Sequence, residues 1–181
     1  MKSIAFTGHR THRFGFANEQ DPRCRAIKES MTELLERGYI KVGLRHIYVG
    51  GAQGVDMWAA EATLSLKQSH KDLQLFCVLP FAGHDSAWPQ EERNRLLRIS
   101  RHAEVIVLAE SYHADAYKNR NRYLVDHSDY LVAVSLEKFA RSGTAQTIRY
   151  AEVNEKPIIY IDPESGRQYT KNKIRAGITP K

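Results

Sequence analysis

The sequence predicts an α/β fold, built as a single three-layer domain with a mainly parallel sheet flanked by helices. Short apolar runs rich in β-branched residues alternate with amphipathic stretches, which is typical of repeated strand–loop–helix units. A length of 181 residues suits one such domain, and no repeat or low-complexity tract interrupts the pattern. We therefore expect residues 1–162 to form the domain and residues 163–181 to form a C-terminal hairpin and a basic tail.

Three strand–loop–helix units occupy the first half of the chain. Their predicted strands are residues 3–6, 47–49 and 73–79. Asp21 is placed to cap a helix that has a proline in its first turn, and Gly38 is placed to end that helix. Gly54 opens the second helix, which continues to about residue 67, and Pro89 opens the third, which continues to about residue 101. Because each connection contains a helix, the three strands are expected to pair in parallel.

The second half of the chain continues the alternation and ends in a hairpin. Strands are predicted at residues 103–109, 129–134 and 157–161, with a short basic helix at 114–127. Ser142 opens a further helix before the last of these strands. Residues 163–166 can turn the chain into a short hairpin with residues 168–170, followed by the basic tail.

Composition restricts the classes of function. The formal net charge of +6 and a pI near 9.3 favour an anionic partner. No segment approaches the roughly 18 consecutive apolar residues of a membrane span, and no signal-peptide core is present, so we expect a cytoplasmic protein without a membrane partner. Cys24 and Cys77 are expected to be free thiols. No cysteine or carboxylate completes a ligand set around His9 and His12, so neither a metal site nor a required cofactor is predicted.

Polar and glycine-rich segments follow the predicted strands at the edge where ligands bind in open α/β sheets. Glycine lets a phosphate approach the backbone and permits a positive φ. The start of the next helix directs free N–H groups and the positive end of its dipole at an anion. The candidate ligand-binding residues are Thr7, Gly8, Arg10, Gly50, Gly51, Ala52, Gln53, Gly54, Val55, Asp56, Arg120, Asn121, Ser142, Gly143 and Thr144. We expect Gly51, Gly54 and Gly143 to line one pocket.

Three features of this candidate site have two interpretations each. Asp56 lies in the first turn of a predicted helix, where it either only stabilises the helix dipole or also contacts a ribose hydroxyl. The basic run at 118–122 is either a solvated helix face or brings one arginine into the pocket. The long loop at 9–22 is either a binding loop or an ordinary surface loop with two aromatic side chains folded onto the protein.

Four motifs together resemble the SLOG superfamily of Rossmann-like domains, and within it the YpsA subgroup (DUF1273), over nearly the full length. The motifs are Thr7-Gly8-x-Arg10, Gly50-Gly51-Ala52-Gln53-Gly54-Val55-Asp56, Arg120-Asn121-Arg122 and Ser142-Gly143-Thr144. More distantly, they are similar to the core of DprA, which loads single-stranded DNA, and to the LOG phosphoribohydrolases. The resemblance implies a Rossmann-like domain that binds a nucleotide or a nucleotide-derived ligand, such as ADP-ribose or NAD, at the glycine loops.

The sequence departs from the LOG enzymes where their chemistry is performed. Those enzymes carry Pro-Gly-Gly-x-Gly-Thr-x-x-Glu, whereas Thr147 stands here at the position of the glutamate. Asn121 also replaces the lysine that usually follows the arginine corresponding to Arg120. Because threonine lacks the pKa of a general acid or base, no catalytic residue is predicted. The glycine loop also lacks the lysine of a Walker A loop, and Ser142-Gly143-Thr144 is not a nucleophile elbow.

Three functions therefore compete. The first, which we favour, is non-catalytic binding or sensing of a small nucleotide-derived ligand. The second is hydrolysis of a nucleotide N-glycosidic bond, which the substituted glutamate disfavours. The third is binding of single-stranded nucleic acid, which is disfavoured because aromatic residues make up only 9% of the chain and are scattered along it. The sequence also allows a homo-oligomer and does not identify the ligand.

Overall fold

The computed structural model describes residues 1–136 and 141–171, in which strands and helices alternate. The strands are β1 (Lys2–Gly8), β2 (Leu44–Val49), β3 (Gln74–Leu79), β4 (Glu104–Val107), β5 (Tyr130–Val134), β6 (Ile158–Ile161) and β7 (Gln168–Tyr169). The helices are α1 (Pro22–Val42), α2 (Val55–Leu66), α3 (Gln90–Ser100), α4 (Ala116–Asp126) and α5 (Gly143–Val153), with a 3-10 turn at Thr11–Arg13. None of the helices in these two ranges is both long and apolar enough to cross a membrane.

The strands form one sheet in the order β4-β3-β2-β1-β5-β6-β7. Every neighbouring pair is parallel except β6 and β7, which are antiparallel. The chain moves outward from β1 to β4 and then returns to the other side of β1 to form β5. This reversal leaves a crevice at the carboxyl ends of β1 and β5, which is where ligands bind in doubly wound folds.

Alternating strand residues separate the core into two layers. Ile4, Phe6 and Ile47 pack into the apolar cluster beneath α1, α2 and α3. Ala5 and Tyr48, one position along each strand, pack into the cluster beneath α4 and α5. Successive side chains of a strand point to opposite faces, so these short apolar runs cover both sides of the sheet. The predicted α/β, Rossmann-like, three-layer fold with a mainly parallel sheet is confirmed.

The end of α1 differs from the prediction. The helix does not stop at Gly38 but continues to Val42. Gly38 is buried within it, and the C-cap is Gly43, whose φ of 71° lies in the left-handed region. A left-handed residue that follows the last helical turn commonly ends a helix, and glycine adopts this conformation without steric cost. Helix α1 therefore ends at the second of the two glycines, Gly43, and not at Gly38.

The last element of the described residues is β7, which pairs antiparallel with β6 so that Tyr169 lies opposite Tyr160. Gly166, with a φ of 70°, lies in the turn between these strands. The predicted basic tail, residues 172–181, lies outside the described residues. Cys24 and Cys77 are both buried free thiols, and burial raises their pKa to about 11 and about 12, respectively.

Candidate anion-binding site

A cavity of about 350 Å³ opens at the carboxyl ends of β1 and β5. Its walls come from the loop after β1, the start of α2, one face of α4 and the start of α5. The predicted site residues that line it are Thr7, Gly8, Arg10, Ala52, Asp56, Arg120, Asn121, Ser142, Gly143 and Thr144. The sheet topology thus brings the first and fourth sequence motifs together with parts of the second and third, since Arg122 of the third motif does not line the cavity.

The glycines of the Gly50–Asp56 loop pack behind the cavity wall instead of facing the cavity. A Cβ atom built on Gly54 would lie 2.8 Å from the carbonyl oxygen of His9 and 2.9 Å from the amide nitrogen of Thr11. A Cβ atom on Gly51 would lie 2.6 Å from the Leu79 side chain. Both glycines have positive φ angles, of 65° for Gly51 and 86° for Gly54. Of the three glycines expected to line one pocket, only Gly143 does so.

The remaining residues of this loop also serve internal packing. Gly50 leaves room for the Arg120 guanidinium, which a Cβ atom there would overlap. The Val55 side chain fills the space beside Gly8, where a Cβ atom would collide with it. Gln53 is partly buried and does not line the cavity. The loop therefore forms a closely packed layer that supports the cavity from behind.

Arg120 and Asp56 form a buried ion pair at the cavity wall. Arg120 Nη1 lies 3.3 Å from Asp56 Oδ2 and also donates to the carbonyl oxygen of Gly50. The same carboxylate oxygen accepts from the amide of Ala52 at 3.1 Å. Burial raises the pKa of Asp56, and the charge of Arg120 and the backbone N–H groups oppose that rise. Arg120 is thus the arginine of the basic run that enters the pocket, whereas Arg122 lies over the Tyr150 ring at 5.3 Å.

The start of α5 forms the opposite, more open wall. Ser142 Oγ caps the helix by accepting from the amide of Ala145 at 3.1 Å. Gly143 is exposed, and among the described residues only the Asn121 amide nitrogen, at 3.8 Å, would be near a Cβ atom built on it. Thr147 Oγ1 donates to the carbonyl oxygen of Gly143 at 2.8 Å, so this side chain is committed to the backbone of its own helix. The positive end of the α5 dipole therefore faces the cavity.

His9 lines the cavity, although its sequence context suggested for it only a role as a possible metal ligand. It is 2% exposed, with Nδ1 3.3 Å from Thr144 Oγ1 and Nε2 3.4 Å from Ser135 Oγ. Burial lowers the pKa of His9, and the nearby charge of Arg13 lowers it further. The sequence signal that could have identified it is its position between two predicted site residues, Gly8 and Arg10, at the end of a strand. His12, Arg13 and Tyr117 also line the cavity and were not selected.

The long loop at 9–22 both contributes to the cavity and packs onto the core. Phe14 and Phe16 are buried and stack with their ring centroids 5.2 Å apart. Glu19 anchors the far end of the loop by accepting from Trp58 Nε1 at 2.8 Å and from Arg95 Nη1 at 2.6 Å. The aromatic residues of this loop are thus folded onto the protein, as the second interpretation has it, while its N-terminal part lines the cavity.

The charges around the cavity favour an anion. Arg10, Arg13 and Arg120 line it, and Asp56 is the single carboxylate among the described lining residues. That carboxylate is already paired with Arg120. Within residues 1–136 and 141–171, no group of three histidine, cysteine, aspartate or glutamate side chains is arranged to hold a metal ion.

Comparison with known sequences finds relatives along nearly the whole chain. A UPF0398 protein of Levilactobacillus brevis is 28% identical over 182 residues, which cover 95% of this chain and 96% of the relative. A UPF0398 protein of Macrococcus caseolyticus is 31% identical over 135 residues, which cover 71% of each chain.

Comparison with solved structures finds similar folds. DNA processing protein A (DprA) from Streptococcus pneumoniae superposes with a TM-score of 0.60 at 19% identity, covering 98% of this chain. The matched region is 53% of that protein, so this chain spans about half of its length. TM1055 superposes with a TM-score of 0.54 at 20% identity, covering 92% of this chain and 77% of that one. At these identities the likeness shows the fold. The model of the YspA SLOG family (YpsA) matches residues 4–165, and the chain belongs to that family.

Proposed function

We propose that this protein binds a small nucleotide-derived ligand without chemical conversion, with a phosphate of the ligand between the loop after β1 and the start of α5. The observation that carries this proposal is a cavity lined by three arginines and by the N-terminus of α5. The opposing carboxylate, Asp56, is neutralised by its ion pair. Guanidinium groups and helix N-termini are the groups that proteins use to bind phosphate.

The hydrogen bonding of Arg120 supports an anion in this position. Arg120 is 7% exposed, and its Nε atom is buried without a hydrogen-bond partner among the described residues. A buried donor left unpaired costs about 1–3 kcal/mol, and more when it is charged. A phosphate oxygen in the cavity is a chemically suitable acceptor for such a donor.

The side chains that could be considered as a general acid or base are already hydrogen-bonded within the protein, which favours binding over hydrolysis. Thr147, at the position where a hydrolase would hold its acid, donates to the backbone. Asp56 is held by Arg120 and Ala52. Glu61, on α2, accepts from Arg95 Nε and Nη2, both at 2.7 Å. A general acid or base must reach the reacting atom, and each of these groups already has a partner in the protein.

A thermal-shift panel tests the proposal. It contains ADP-ribose, NAD, AMP and ADP, and at least one compound should raise the melting temperature. At a hundredfold excess over its dissociation constant, a ligand stabilises the folded state by about 2.7 kcal/mol. For a domain of this size, that corresponds to roughly 5–10 °C. Arg10→Ala should reduce the shift, whereas the control Arg98→Ala, an exposed arginine on α3, should not.

A second candidate function, binding of single-stranded nucleic acid, follows from the fold shared with DNA processing protein A. It makes a different prediction, because a strand neutralises several phosphates. Its affinity should fall with the logarithm of salt concentration, with a slope of about 0.7 per phosphate contacted. Absence of any nucleotide-dependent shift, together with steeply salt-dependent binding of an oligonucleotide, would replace our proposal with this one.

A further inference from the structure

Three aromatic side chains from separate parts of the chain meet beside the cavity. Phe81 follows β3, Tyr112 follows β4, and Tyr117 lies in the first turn of α4. The Phe81 ring centroid is 5.6 Å from that of Tyr112 and 5.8 Å from that of Tyr117, both in edge-to-face arrangements. We call these three residues the aromatic cluster. They are separated in sequence, and only the carboxyl edge of the sheet brings them together.

The aromatic cluster is both exposed and continuous with the cavity. Tyr112 is 65% exposed and Tyr117 is 37% exposed, and Phe81 is partly buried between them. Tyr117 also belongs to the wall of the cavity. Single exposed aromatic residues are ordinary, but rings that contact each other edge to face at the mouth of a polar cavity form an exposed apolar surface beside that cavity.

Helix α4 places this surface at a fixed distance from the phosphate contacts. Tyr117, Arg120, Asn121 and Leu124 all line the cavity, and their i, i+3, i+4, i+7 spacing puts them on one helix face. Tyr117 and Arg120 are therefore separated by about 4.5 Å along the helix axis. A nucleotide likewise carries its phosphate and its base at opposite ends of one ribose. The same helix face can thus contact both ends of the ligand.

We propose that the aromatic cluster is a base-stacking subsite, with Tyr117 as the ring on which the nucleobase of the ligand lies. This inference rests on the proposed function, because it concerns the other end of the same ligand. Bases stack on aromatic side chains through their π-faces, a contact that tolerates different bases. A cavity of about 350 Å³ is of the size that holds a small ligand, which favours a single nucleotide over a strand.

The subsite makes the protein discriminate a nucleotide from the same phosphate without a base. The test is isothermal calorimetry with two probes, AMP and ribose 5-phosphate, on the full chain. Wild-type protein should bind AMP more tightly than ribose 5-phosphate. Tyr117→Ala and Tyr117→Leu should weaken AMP binding about 5- to 150-fold, the range that loss of one stacking contact produces. Both variants should bind ribose 5-phosphate within about twofold of the wild type.

Two further variants separate stacking from folding. Tyr117→Phe keeps the ring and should keep AMP binding within about threefold. Tyr123 lies on the same helix, but its ring stacks on His127, with the centroids 3.7 Å apart, and does not line the cavity. Tyr123→Ala should therefore leave the affinities for both probes unchanged. Melting curves without ligand check that each variant is folded.

The possible outcomes distinguish the two proposals. Equal wild-type affinity for AMP and ribose 5-phosphate, or equal losses for both probes in Tyr117→Leu, would overturn the stacking subsite and leave the anion site standing. Binding of neither probe by the wild type would overturn the stacking subsite, whereas the thermal-shift panel, which also contains ADP-ribose, NAD and ADP, decides separately whether the proposed function stands. A change of oligomeric state in Tyr112→Ala, seen by sedimentation, with AMP affinity unaltered by Tyr117→Leu, would reassign the aromatic cluster to contact between copies of the chain.

Discussion

The two walls of the cavity use the same residue type in opposite ways. On the packed wall, the space beside Gly50 and Gly54 is filled by the Arg120 side chain and by the backbone of His9–Thr11. On the open wall, Gly143 is exposed, and a single amide nitrogen of the described part of the chain lies near the position of a Cβ atom. The packed wall is thus closed by the protein itself, and the open wall is accessible to a ligand.

This difference shows that a glycine-rich loop between a strand and a helix is not by itself a phosphate cradle. A missing side chain admits either a ligand or a neighbouring part of the chain, and only the surroundings decide which. Here the longer glycine motif positions Arg120 and Asp56, whereas the shorter one, at the start of α5, is exposed at the cavity. The predictions below test this division, beginning with the largest expected effect on stability.

Removal of Arg120 should damage the packed wall most. Arg120→Ala leaves the buried Asp56 carboxylate without its counter-charge, and breaking a buried pair in this way costs about 3–5 kcal/mol. Urea denaturation would measure the loss, with Arg122→Ala, on the exposed side of the same helix, as the control. The double variant Arg120→Ala/Asp56→Asn should recover part of the loss, because the unpaired charge is gone. Full additivity of the two substitutions would show that the pair is not coupled.

Gly54, on the packed wall, and Gly143, on the open wall, should respond differently to substitution by alanine. Gly54→Ala should destabilise the fold by roughly 2–4 kcal/mol, because alanine is strained at a φ of 86° and its Cβ would press on backbone atoms. Gly143→Ala should change stability by less than about 0.5 kcal/mol, since Gly143 is exposed and a Cβ atom there would meet no described atom closer than 3.8 Å. Thermal melts of both variants make the comparison. A similar loss for both would remove the distinction between the walls.

The loop that carries Arg10 should become less firmly held at acidic pH. Burial alone would raise the pKa of Glu19, but hydrogen bonds from Arg95, Lys28 and Trp58 outweigh it and lower that pKa to about 2. A depressed carboxyl pKa contributes stability that is complete above the unfolded value, near 4.5, and is lost as the pH falls towards about 2. We expect this contribution to be about 3 kcal/mol.

Stability measured from pH 6 to pH 2 in the wild type and in Glu19→Gln checks this expectation. Asp21, Asp72 and Asp129 also have lowered pKa values, but they contribute equally to both proteins. The wild type should therefore lose its advantage over the variant across this range. Parallel curves would mean that Glu19 does not hold the loop through its charge.

The smallest effect on stability should come from Arg10, whose side chain lines the cavity from the loop after β1. Arg10 is exposed, so Arg10→Ala should change the free energy of unfolding by less than about 0.5 kcal/mol. The affinity of the Arg10→Ala variant for phosphate should nevertheless fall, because a charge-assisted contact is lost. Calorimetry with inorganic phosphate, run beside urea denaturation, measures both. A large loss of stability with unchanged phosphate affinity would move Arg10 from the ligand site to the scaffold.

Much of the fold followed from local patterns. The period of the apolar residues identified the strand–helix alternation, and the ends of the strands indicated where Thr7, Arg10 and Ser142 would meet. The absence of an ionisable side chain at Thr147 was also readable, since such a group is either present or absent in a sequence. These features depend on residue type and on spacing within one element.

Other features depend on contacts between distant parts of the chain. The choice between Gly38 and Gly43 as the end of α1, the pairing of Glu19 with Arg95 across 76 positions, and the meeting of Phe81 with Tyr112 have no local signature. The same holds for the orientation of the glycines, because a loop sequence does not state which atoms occupy the space beside it.

The sequence by itself therefore determined the α/β class, the family resemblance and the edge of the sheet at which the site lies. The tertiary structure decided which glycines are filled by the protein, that Arg120 and not Arg122 enters the cavity, and that His9 and Tyr117 belong to its wall. The physical reason is that secondary structure responds to the periodicity of neighbouring residues, whereas a binding surface is what remains uncovered after all elements have packed.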